Sequence, residues 1–100
     1  MATVEEVGDK IRASISAARN EGFRIVPKCL ISLTGCCAIG AVIRKDPWVS
    51  YMGAAELLDT GFAQVVSVAM GFDGTDKGDP LKEWYQLGQQ LRREVEAGIL

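Results

Sequence analysis

Residues 29–43 read CLISLTGCCAIGAVI, a run without one charged side chain, closed by Lys28 on one side and by Arg44 and Lys45 on the other. It contains all three cysteines, Cys29, Cys36 and Cys37, and its only other polar side chains are Ser32 and Thr34. Such a run has to be buried, and its 15 residues fall short of the roughly 20 that cross a bilayer as a helix. It reads as the spine of a soluble core, with no membrane span. Thr34 is the expected N-cap of a short helix over 35–44, apolar on nearly every face and therefore central. Cys36 and Gly40, like Cys37 and Ala41, are four residues apart, so small side chains share a surface that a neighbouring helix can approach closely. Gly35 and Gly40 would each cost a helix about 1 kcal/mol against alanine, which close packing must offset. Arg44 and Lys45 complement the helix C-terminus, and Asp46-Pro47 stops it, because the residue before proline is pushed out of the helical region.

Upstream, Thr3-Val4-Glu5-Glu6 has the form of a capping box. Val4, Val7, Ile11, Ile15 and Ala18 come next at three- and four-residue steps, predicting a helix over 4–20 that Gly22 ends in the left-handed conformation. Phe23 and Ile25 then alternate with polar neighbours up to Pro27, a pattern for an extended connector or a short strand. Downstream, Ser50 is the expected cap of a third helix reaching Asp59, and Thr60-Gly61 breaks the chain before a fourth, 62–70. Residues 71–79 read as loop, with three glycines and three aspartates. Asp79-Pro80 is a favoured helix start, and Leu81, Trp84, Tyr85, Gly88, Leu91 and Val95 form the apolar stripe of a last helix, ended by Gly98.

The composition, 48% hydrophobic and 24% charged over 100 residues, is that of one folded domain spanning 1–100. Mean hydropathy is slightly positive, high for so small a chain, whose large relative surface calls for polar residues. Excess apolar surface points to self-association. A formal charge of −2 with dispersed basic residues offers no footprint for a phosphate backbone, so nucleic acid is not an expected partner. The acidic, amphipathic N-terminus lacks the features of a secretory signal, and an odd number of thiols argues against a disulfide framework, so the cytoplasm is the expected compartment.

Chemistry is sparse. The chain has no histidine, which removes Ser-His-Asp and Cys-His catalysis, and no phosphate-binding glycine motif occurs. Cys29, Cys36 and Cys37 are candidates for a soft-metal site or a redox pair, with Asp73 a further candidate ligand beside Cys36 and Cys37, but no CxxC spacing supports them and vicinal thiols rarely present two sulfurs to one tetrahedral ion; packing is the simpler role. Asp73, Asp76 and Asp79 fall every third residue, which is not the register of a calcium loop. Glu56, Asp59 and Asp73 are the available acid–base groups, and solvation explains carboxylates on helix surfaces equally well. No catalytic residue and no cofactor is assigned. The sequence AAELLDTGFAQVV has the outline of a helix-turn-helix, yet its second helix offers only Gln64 and Ser67 to base edges and no basic residue for phosphate. The aromatics Trp48, Tyr51, Phe72, Trp84 and Tyr85 are the interface candidates.

CCAIGAVI, GAAELLDTGF, AMGFDG and WYQLGQQLRREV, taken in order over 36–95, resemble small uncharacterised bacterial helical proteins. Those share a Cys-x-Ile/Leu-Gly-Ala helix, an Ala-Ala-x-x-Leu helix, a Gly-Phe-Asp-Gly turn and a final Leu-Gly-x-x-Leu-Arg helix; Cys37 is a departure from them. The resemblance implies a shared helical fold and no activity.

The expected architecture is all-α: a compact bundle of four to five short helices, with the small-residue helix 35–44 between the N-terminal helix, the pair over 51–71 and the C-terminal helix. The expected function is a non-enzymatic cytoplasmic interaction or regulatory module that forms a homodimer or engages another protein. A small-ligand or metal-binding protein using the cysteine-bearing helix and the Asp/Gly loop is the alternative, and a helix-turn-helix-like DNA-binding protein the third reading.

Overall fold

Thr3 opens the first helix as its sequence requires. Its hydroxyl accepts from the Glu6 amide at 3.2 Å while the Glu6 carboxylate accepts from the Thr3 amide at 3.0 Å. The helix so capped, α1 (Val4–Asn20), buries Val7, Gly8, Ile11, Ile15 and Ala18 and gives way to Gly22 at φ +98°. The computed structural model describes residues 1–32, 34–75 and 78–100. Among them it forms five α-helices and a two-stranded parallel sheet.

The sheet pairs β1 (Arg24–Ile25) with β2 (Gly35–Cys36), and Cys36 also bridges antiparallel to Ile31. The chain between the strands thus folds back on itself before it enters α2 (Ala38–Ile43). This corrects the expected helix start at Thr34: backbone pairing with Arg24 and Ile25 holds Gly35 and Cys36 extended, and the cap falls instead on Cys37, whose sulfur accepts from the Gly40 amide at 3.4 Å. The helix is central as expected, with Ala38, Ile39, Gly40, Ala41 and Ile43 all buried.

Pro47–Val49 forms one 3-10 turn, then come α3 (Ser50–Leu57), α4 (Phe62–Asp73) and α5 (Lys82–Glu96). Three boundaries differ from expectation. Ser50 lies inside α3 and does not cap it by side chain. Helix α4 continues through Gly71, Phe72 and Asp73, which the composition assigns to loop, and ends at Gly74 with φ +78°. Helix α5 starts after Leu81 rather than at Asp79-Pro80. Its start is set from outside: the buried Ser67 hydroxyl donates to the Ala63 carbonyl and accepts from the Leu81 amide, both at 2.8 Å.

Helices α4 and α5 come into direct backbone contact. A Cβ on Gly71 would meet the Tyr85 carbonyl, and one on Gly88 would meet the Val68 carbonyl and the Phe72 amide nitrogen. The two backbones touch through reciprocal glycines. Helix α1 closes the bundle against α2 and α5, with Arg12 gripping both Glu94 carboxylate oxygens at 2.8 and 3.0 Å. The buried apolar residues form one cluster, from Val7 and Ile11 through Ile39 and Ile43 to Val68, Phe72 and Leu91. No helix among the described residues is long and apolar enough to cross a membrane.

Candidate functional site

The end of α2 is tied down, and the segment beyond it is pushed outward. Arg44 donates to the Ala41 carbonyl at 2.7 Å and to both oxygens of Glu21 at 2.9 and 2.8 Å, anchoring α2 to the end of α1. Asp46-Pro47 then leaves the helix, and Ser50 turns the chain at φ +59°, ψ −157°. Trp48 stands on the crest between them, 94% exposed. Met52 and Leu57 are also exposed, at 70% and 60%.

Two stripes with a spacing of four residues run along this segment. Val49, Gly53 and Leu57 join Val42 and Ile43 in lining an open groove of about 560 Å³ between α2 and α3. Trp48, Met52 and Glu56 form the adjoining, outward stripe. The groove's charged lining residues include Lys45, Asp46 and Glu56, all three exposed and, among the described residues, in no ion pair. A second apolar groove of about 410 Å³, edged by Phe62 and Leu81 and floored by Val66 and Met70, has Asp79 as its one charged lining residue among those described.

The five aromatic candidates separate. Trp48 is free; Tyr51, Trp84 and Tyr85 are half-buried; Phe72, 1% exposed, belongs to the core and is corrected out of the interface set. Its burial comes from the unexpected extension of α4, which turns residue 72 onto the same face as Val65, Val68 and Ala69.

The cysteines and Asp73 meet around the start of α2. Cys36 is buried between Ile25 and Ile31, and burial, reinforced by Cys37, pushes its thiol up to about 11. Cys37 is raised as well, chiefly by burial, against the opposing Gly40 amide. Such thiols stay protonated at neutral pH and are poor nucleophiles. Asp73, the last residue of α4, accepts the Lys28 amide at 2.8 Å, which fixes a residue held at φ +64°. Tyr51 lies at the same end, its phenol raised by burial and then by Cys37 and Asp73. Among the described residues no group of three or more Cys, Asp or Glu could hold a metal ion. Asp76, the middle aspartate of the loop, lies outside the described residues. Ser67, one of the two polar side chains that the helix-turn-helix reading would offer to base edges, is buried and engaged with Leu81.

Sequence reasoning reached Trp48 but missed Met52, Leu57 and Lys45. The signal is present as the four-residue steps 49, 53, 57 and 48, 52, 56, obscured because both stripes carry apolar residues and the inner one holds a glycine. In comparisons with known protein families, curated proteins and solved structures, nothing matches this chain.

Proposed function

We propose that this chain is a non-enzymatic interaction module of the cytoplasm that self-associates as a homodimer. The observation that carries the reading is Trp48, a side chain with a large hydrophobic area standing almost wholly in water beside an apolar groove. Burying an indole removes on the order of 200 Å² from water, and aromatics of this kind are enriched at the centres of interfaces. The thiols, raised by burial, and Asp73, committed to a backbone amide, serve packing and loop fixation.

Native mass spectrometry with sedimentation velocity on reduced, metal-free protein over about 1 to 100 μM tests this reading, since self-association at that affinity is worth roughly 6–8 kcal/mol. A concentration-dependent dimer without extra mass is expected. A monomer throughout the range, or a stoichiometric mass excess from a metal or small molecule, overturns it.

A further inference from the structure

We propose that two copies of this chain pair about a two-fold axis through the α2–α3 face, the Trp48 indole of each entering the groove of the other while Lys45 of each pairs with Glu56 of the other. The inference rests on the self-association proposed above and specifies its surface.

Three features of the face fit a second copy. The projection and the recess occur on one short segment, residues 42–57, so a single two-fold operation can fill both grooves at once, as an isologous contact requires. The recess, about 560 Å³ and lined by Val42, Ile43, Val49, Gly53 and Leu57, has room and chemistry for an indole. Two of the three unpaired charges are self-complementary: Lys45 and Glu56 line the same groove with opposite sign, both exposed and both outside any ion pair among the described residues, while Asp46 takes no partner in this pairing. In a two-fold dimer each such pair forms twice. Arg44, by contrast, is spent on Glu21.

Charge exchange is the experiment. In a homodimer of the Lys45→Glu variant, two carboxylates would face each other at both symmetry-related contacts; in a homodimer of Glu56→Lys, two ammonium groups would. Each variant alone should weaken the dimer about tenfold or more, because like charges are forced together at the contact. An equimolar mixture of the two variants restores opposite signs at both contacts of the mixed dimer and should dimerise where neither variant does alone, and the double variant Lys45→Glu with Glu56→Lys offers the same restoration within one chain. That double variant exchanges both signs within one chain, re-forms both pairs in its own homodimer, and should return to within about threefold of the wild-type dissociation constant. Both positions are exposed, so each variant should remain folded as a monomer, with at most a small loss from reversing the charge at the end of α2, as circular dichroism melting would verify.

A second readout uses Trp84→Phe, which leaves Trp48 as the only tryptophan. Its fluorescence should shift to the blue as concentration rises through the dimerisation range. A wild-type dimer that ignores both charge reversals, that is not restored in the double variant, or that forms without the blue shift overturns this surface and leaves self-association standing through another. A wild-type monomer at all concentrations overturns both proposals.

Discussion

An added methyl group at Gly40 would run into the carbonyl of Leu30 and crowd the Cβ of Cys36. The small-residue reading of this position holds, although the close neighbour is the folded-back segment carrying Leu30 and not another helix. Gly40→Ala should therefore destabilise the fold by about 2 kcal/mol or more in chemical denaturation, against the roughly 1 kcal/mol that helix propensity alone would add. A stabilised variant would mean that the Leu30 segment yields freely. Ser50 is the opposite case. At φ +59°, ψ −157° it occupies a region that side chains avoid at a cost of about 1–3 kcal/mol, and among the described residues its hydroxyl engages only the neighbouring Tyr51 amide at 2.6 Å. Ser50→Gly should raise stability by about 1 kcal/mol, read from the denaturation midpoint at unchanged slope. A loss of stability would show that the hydroxyl contributes more than the backbone strain costs.

Between elements, the clearest dependence on solution conditions lies at the α1–α5 seam. The Arg12 guanidinium, hydrogen-bonded to both Glu94 oxygens, holds that carboxyl below its ordinary 4.5, and Gln90 lowers it further. Glu94 thus stays ionised to lower pH in the folded chain than in the unfolded one, so the pair contributes fully above about pH 4.5 and fades as pH falls through the lower folded value. Arg12→Gln should cost about 1–2 kcal/mol at neutral pH, partly buried charge-assisted bonds being worth that much, and the gap from wild type should narrow in acid. A gap independent of pH would assign the loss to packing. At this scale the sequence is largely readable. The capping box and the 4–20 periodicity locate α1 to the residue, because local hydrogen bonds determine that start. The end of α4 and the start of α5 are not readable. Gly71 looks like a breaker until the Tyr85 backbone occupies the space its side chain would need, and Leu81 begins α5 because Ser67, fourteen residues earlier, takes its amide. Both depend on partners distant along the chain.

For the molecule as a whole, helical class and the central place of α2 come from hydropathy, since a charge-free run flanked by amphipathic stripes leaves few ways to bury it. The candidate face is only half visible. Exposure of Trp48 depends on the turn at Ser50, and burial of Phe72 on the length of α4; neither can be had from residue type. The seam between the first and last helices has a further consequence, for synthesis. Arg12 and Glu94 are 82 positions apart, so at about 5–20 residues per second the emerging chain waits roughly 4–16 s before its last helix can arrive. Throughout that interval the apolar stripe of α1 lacks the cover that α5 gives it. The apolar stripe of α1 is then a sticky handle in the crowded cell, and the ribosome-bound half-chain, more than the finished fold, is the form of this protein most in need of a chaperone.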